Sequence, residues 1–323
     1  MKPFTRWLLL LILFALLLSA CQSVGQAASS GQEASPAGSP PAAAAAAPSA
    51  TALLPPPTRQ AASPTPPPTE APSPTPDLRL NPEDWQNWPV VPTVSARAMQ
   101  IYQRGLALGN NPRAFSKIGD CQMINEAFFG IYALPGRYGF PDGYENLQDA
   151  IDYYDGMFGR ISAAVSGGFV APAILNPMWA DPSLCEKGET PLTCELRRNK
   201  PSVVLIGLEF WFKGRTPESY SQYLRQIIEI SIEYGAVPIL ITKADNVEGD
   251  HSINRATAQL AYEYDIPLWN FWLAAQSLPN RGMDAERDDG FHISVAAWNM
   301  RSFTGLQTLD AFRKAVQHLP AAE

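Results

Sequence analysis

Apolar residues gather in short runs at regular intervals along the second two-thirds of the chain. Ala114–Ile118, Ile161–Val165, Ser202–Phe210, Val237–Ile241 and Ile266–Trp269 read as buried strands. Val203-Val204-Leu205-Ile206 is continuously apolar, the pattern of a central parallel strand covered on both faces. Helical spacing predicts helices over Thr93–Leu108, Tyr144–Tyr154, Glu218–Tyr234, Ile253–Tyr264 and Leu306–His318, with another beginning at Ile124–Tyr132. Gly109 and Gly235 stand just past two of these helices, and Ser294 is placed to cap another. Strand and helix alternate, which predicts one α/β domain with a mostly parallel sheet. Ala171–Arg198 carries Pro172, Pro177, Pro182 and Pro191 and reads as a loop-rich insertion able to wall a site.

The first third has a different pattern. Lys2 and Arg6 precede an apolar run, Trp7 to Leu18, that ends in Leu18-Ser19-Ala20-Cys21. Charge, apolar length and a Cys after small residues resemble a bacterial lipobox, which implies a signal peptide over residues 1–20 and acylation of Cys21. Residues 21–77 are mainly Ala, Pro, Ser and Thr. Pro-Thr-Pro-Pro-Pro-Thr cannot sustain a helix or a ladder, so this stretch is expected to be a disordered, extended tether. Residues 78–323 are left as the folded domain. The expected location is extracytoplasmic, on the bacterial cell envelope, with the membrane as a partner through the lipid anchor. Net charge is −7 and no basic cluster follows residue 6, which argues against nucleic acid as a partner.

The chain has four cysteines. Cys185 and Cys194 bracket a short hydrophilic turn and, outside the cytoplasm, pair most simply as a disulfide. That leaves Cys121, in Gly119-Asp120-Cys121-Gln122, where the first strand runs into a polar turn. Chemistry in parallel sheets collects just beyond the carboxyl ends of strands, so Cys121 stands where a nucleophile works. Downstream, Asp289-Gly290-Phe291-His292 supplies an acid and an imidazole, and only three His exist in the chain. Nucleophile, base and orienter need proximity in the fold rather than in sequence. No metal-ligand spacing and no Gly-rich phosphate loop is visible, so no cofactor or metal is expected.

Gly119-Asp120-Cys121 resembles the first block of the SGNH (GDSL-type) hydrolases, with Cys where that family has its nucleophilic Ser. Asp289-x-x-His292 resembles their last block. The resemblance covers about residues 112 to 300 and implies a three-layer α/β/α, flavodoxin-like fold. It implies Cys121 as nucleophile, His292 as general base and Asp289 as the group that orients the base. Gly168, or Gly167 beside it, after the second strand, stands where the resemblance implies an oxyanion glycine. The family's oxyanion Asn is missing: Glu209 or Trp211 stands at that position, and Asn246 at the next strand's exit is the possible substitute. The resemblance thus implies a membrane-anchored hydrolase of acyl esters on an envelope glycan or lipid. The alternative is an inactive relative that uses the same cleft, floored by Phe210, Trp211 and Phe212, to hold a glycan or lipid head group.

Overall fold

The computed structural model describes residues 77, 79–208, 216–317 and 319. The expected signal peptide, the expected acylation site Cys21, all but residue 77 of the expected tether, and Glu209 to Phe212 therefore lie outside the described residues. Contacts gather Arg79–Glu323 into one unit. No helix among the described residues is long and apolar enough to cross a membrane.

Four parallel strands form one sheet in the order β1-β2-β3-β4: β1 Asn111–Gly119, β2 Pro201–Gly207, β3 Val237–Ile241 and β4 Leu268–Trp269. Among the described residues the α-helices between and around them are α1 Ala96–Ala107, α2 Gln148–Tyr153, α3 Ala171–Ile174, α4 Pro191–Asn199, α5 Pro217–Glu233, α6 Ser252–Tyr264, α7 Phe271–Ala275 and α8 Val295–Val316. Helices α3 to α6 pack together on one face, and α1, α2, α7 and α8 form the other layer. The chain is therefore the α/β fold with a parallel sheet that the alternation predicts. Every residue of β2 and β3 is buried, which is why those strands read as unbroken apolar runs.

Local chemistry fixes the helix starts. Ser95, Thr216 and Ser294 each accept a hydrogen bond from the third backbone N–H of α1, α5 and α8. Thr190 and Thr193 cap α4 reciprocally. Gly109 and Gly235 take the left-handed conformation that ends α1 and α5. The Cys185–Cys194 disulfide is present and ties the insertion to α4. Trp85 and Trp88 are buried, and Asn270 Nδ2 donates to both of their carbonyls, at 2.9 and 3.0 Å, so the entry segment is fastened to the exit of β4.

Four expectations change. Ile161–Val165 is not a strand: Ile161 is exposed, and only Val165 bridges β1, parallel to Gly119. No α-helix begins at Ile124, because Phe129 sits at φ 73° and turns the chain so that its aromatic ring stacks on Phe128. The insertion is less loop-rich than its prolines suggest, since Pro172 and Pro191 occupy first-turn positions of α3 and α4, where proline is tolerated. The closing helix starts at Val295, not Leu306, and runs 22 residues, while α7 has no sequence signal of its own at five residues.

Lys117 gives the fold a measurable pH dependence. Its side chain is 2% exposed in β1, and Nζ donates to Asn125 Oδ1 at 2.5 Å and to the Phe128 carbonyl at 3.2 Å. Burial, joined by the charge of Arg160, pulls the amine down to about 7. An unfolded lysine titrates near 10.4, so between about pH 7 and 10.4 the unfolded chain holds more protons and stability rises with pH. Lys117→Met is expected to stabilise the protein by about 2 kcal/mol at pH 7, after the lost hydrogen bonds are set against the relieved burial. Because the wild type gains about 1.4 kcal/mol per pH unit across that window, the advantage of Lys117→Met should vanish near about pH 9 and reverse above it, which urea unfolding at a series of pH values reads directly.

Candidate active site

All four strands point the same way, so their carboxyl ends share one edge. β1 ends there at Gly119, and Asp120 turns the chain into a short 3₁₀ turn, Cys121–Met123. Asp120 is fully buried, and its Oδ1 accepts from Gln122 N at 2.9 Å, which fixes the turn that presents Cys121. Gln122 is also buried, and its Nε2 reaches the Phe291 carbonyl at 3.4 Å. This bond ties the thiol's turn to the distant loop that carries His292.

The turn needs glycine on both strands. A Cβ on Gly119 would lie 2.2 Å from the Gly207 carbonyl oxygen, and one on Gly207 would lie 2.7 Å from Arg301 Nη2. Gly119 and Gly207 are register partners, so β1 and β2 meet at their ends with no room for side chains.

Cys121 Sγ, half-buried, lies 3.9 Å from His292 Nε2. His292 Nδ1 lies 2.7 Å from Asp289 Oδ2. Asp289 Oδ1 accepts from the backbone N–H groups of Phe291 and His292, both at 2.9 Å. Partial burial raises the Asp289 carboxyl, but these N–H donors and the imidazole outweigh it and hold it below its ordinary value. The carboxylate thus stays charged and places the ring proton on Nδ1, leaving Nε2 to accept a proton from the thiol. The loop itself is pinned: Met283 and Ile293 form an antiparallel bridge, Asp284 N donates to the His292 carbonyl at 2.9 Å, and Ser294 N donates to the Gly282 carbonyl at 2.8 Å.

Three of the residues singled out in the sequence therefore converge: Cys121, His292 and Asp289. Gly168 lies on an exposed turn at φ 81°. That turn adjoins the end of β1, because Gly119 N donates to the Ala164 carbonyl and Ser166 N to the Gly119 carbonyl. Asn246 lies elsewhere, in the turn after β3, where its Oδ1 accepts from His251 N at 2.8 Å. Cys185, Glu189 and Cys194 crowd together in a way that could suggest a metal site, but both sulfurs are committed to the disulfide.

Sequence reasoning singled out Asn246 at the exit of β3 but not the cluster around it on the same edge. After β3, buried Lys243 bonds both Asp245, at 2.5 Å, and Glu248. Beside them His251 rests against Trp85 and Trp272, with ring centroids 6.0 and 5.6 Å away. The rarity of histidine in this chain was a signal for His251, but nothing local marked its neighbours.

No protein-family model and no curated protein matches this chain. Among solved structures it is similar to TesA, at 18% identity and a TM-score of 0.39, over 61% of this chain and 98% of that one. It is similar to the psychrotrophic esterase EstA from Pseudoalteromonas sp., solved in a form inhibited by monoethylphosphonate, at 16% identity and a TM-score of 0.41, over 62% and 98%. It is similar to a GDSL-like lipase from Bacteroides thetaiotaomicron at 12% identity and a TM-score of 0.39, over 70% and 98%.

Proposed function

We propose that this protein is an SGNH-type hydrolase that cleaves acyl esters through a cysteine nucleophile, held at the cell envelope by the acylated Cys21. The observation that carries the reading is the Asp289–His292–Cys121 relay, at 2.7 and 3.9 Å, on the carboxyl edge of a parallel sheet.

In the first step His292 Nε2 takes the thiol proton, and Cys121 Sγ bonds to the ester carbonyl carbon. Asp289 stabilises the imidazolium that forms. The carbonyl oxygen carries the negative charge of the tetrahedral intermediate, and the Gly168 backbone N–H on the adjoining turn is the donor we assign to it. Collapse breaks the carbon–oxygen bond, and Nε2 returns the proton to the departing alcohol. Water, deprotonated by the same imidazole, then attacks the thioester carbon. The acid leaves, and Cys121 regains its proton. A thiolate is a stronger nucleophile than a neutral hydroxyl, and the imidazolium beside it favours that charge.

The thiol is half-buried, so an ester in solution can reach it. Hydrolysis of p-nitrophenyl acetate tests the reading. The protein is expected to turn it over, and His292→Ala is expected to lower kcat by roughly 10³-fold with little change in KM, as loss of an interaction made in the transition state does. Equal rates for the two proteins would sink the proposal.

A further inference from the structure

Helix α2 sets Gln148 and Asp152 one turn apart, and Gln148 Nε2 donates to Asp152 Oδ1 at 2.8 Å. Tyr138 Oη donates to Gln148 Oε1 at 3.3 Å, which joins the loop before the helix to the same wall. Together with Asp155, just past the helix, and the rings of Tyr132 and Phe158, these residues line a cavity of about 550 Å³. This is within the usual size range of small-molecule sites. None of the relay residues, Cys121, His292 or Asp289, lines it.

The rings form a fixed wall. Tyr132 meets Tyr138 edge-on at 5.3 Å and Phe158 edge-on at 5.7 Å between centroids. Tyr132 is 7% exposed, and its hydroxyl has no hydrogen-bond partner among the described residues, yet unlike the Tyr154 hydroxyl it is not sealed from solvent. Polar atoms on so buried a side chain are almost always paired, so an open phenol on a cavity wall points to a ligand that reaches it. Burial pushes that phenol well above its ordinary pKa, so it stays a neutral hydroxyl whose oxygen can accept.

The charge of the wall selects the ligand. Asp152 and Asp155 have no ion-pair partner among the described residues, and no Lys, Arg or His lines the cavity. An anion meets two carboxylates and no cation to offset them. A neutral molecule gains nothing from their charge. A bare divalent metal ion draws on oxygen ligands and gains little from three aromatic rings. An organic ammonium answers every part of the wall: carboxylates pair with its charge, ring faces attract it, and the phenol oxygen accepts from an N–H.

We infer that the Tyr132–Tyr138–Phe158 cavity binds an organic ammonium ion through its aromatic rings and the Asp152 and Asp155 carboxylates. The site stands whether or not Cys121 is a nucleophile.

Isothermal titration of the full protein with putrescine and, separately, with tetramethylammonium tests this, with neutral 1,4-butanediol as the control. At least one ammonium ion is expected to bind with a Kd of about 1 mM or tighter, and the diol at least about tenfold more weakly. Replacing both exposed carboxylates, Asp152→Asn with Asp155→Asn, is expected to weaken ammonium binding at least about tenfold. Tyr132→Phe keeps the ring and removes only the hydroxyl, so it should weaken putrescine about threefold and spare tetramethylammonium, which has no N–H to donate. Absence of binding by both ammonium ions overturns the inference. So does a diol that binds as tightly as the diamine, or ammonium binding that the folded double variant retains unchanged.

Discussion

Replacing Cys121 with alanine is expected to reduce kcat for p-nitrophenyl acetate by at least about 10³-fold, to the level set by binding and the oxyanion donors alone. The half-buried thiol contributes little to the core, so the variant should keep the wild-type melting temperature within about 1 °C. Loss of rate without loss of stability separates a chemical role for the sulfur from a packing role. Cys121→Ser asks a second question. Sulfur is larger than oxygen and forms longer bonds, and the 3.9 Å gap to Nε2 suits a thiol. A hydroxyl in the same place is too distant for a good hydrogen bond, so the serine variant is expected to fall well below wild type. A serine variant faster than wild type would mean the site is shaped for oxygen and the natural thiol blunts it.

The second large effect concerns stability. Gly119→Ala places a methyl group 2.2 Å from the Gly207 carbonyl oxygen and 2.5 Å from Met123 Cγ. The first contact is with the backbone of β2, so it cannot be relieved by a rotamer change. Either β1 and β2 separate at their ends or the turn bearing Cys121 shifts. We expect a loss of about 3 kcal/mol, near the upper end for overpacking, which lowers the melting temperature of a domain this size by about 10 °C. Gly139→Ala is the control: its added Cβ meets nothing within 4 Å and its φ is not positive, so it should stay within about 0.5 kcal/mol of wild type. Because the clash sits two residues before the nucleophile, Gly119→Ala should also lose activity at temperatures where it remains folded.

What the sequence revealed, and what it hid, divides along the range of the interactions involved. Val237–Ile241 was legible to the residue because a strand buried on both faces carries its burial in its composition. Ser294, Gly109 and Gly235 were legible because caps act over three or four residues. Ile161–Val165 misled for the opposite reason: its apolar residues satisfy strand periodicity, yet Ile161 faces solvent and one bridge to Gly119 is all that forms. The helix expected from Ile124 failed because Phe129 takes a left-handed conformation in which its ring packs edge-on against Phe115 and Phe158, tertiary contacts that override propensity.

The site shows the same division. Cys121, Asp289 and His292 were found because each sits in a short block whose residue types state their chemistry, and the fold joins positions 171 residues apart. Of the cluster beyond β3 only Asn246 was singled out in the sequence. Asp245 and His251 come from the exit of β3, Trp272 follows β4, and Trp85, which braces both rings, comes from the entry segment. No local spacing records that these four meet; only the order of strands at the carboxyl edge brings them together.

The central claim is that Cys121 is a nucleophile that becomes acylated. It is tested most directly by mixing the protein with p-nitrophenyl acetate, quenching in acid within the first turnover, and mapping added mass by peptide mass spectrometry. The account predicts a single acetyl group on the peptide that contains Cys121, lost on standing at neutral pH and absent from Cys121→Ala. Wild-type protein that releases p-nitrophenol at a steady rate with no acetyl on Cys121, or with the same acetylation in His292→Ala, would contradict it.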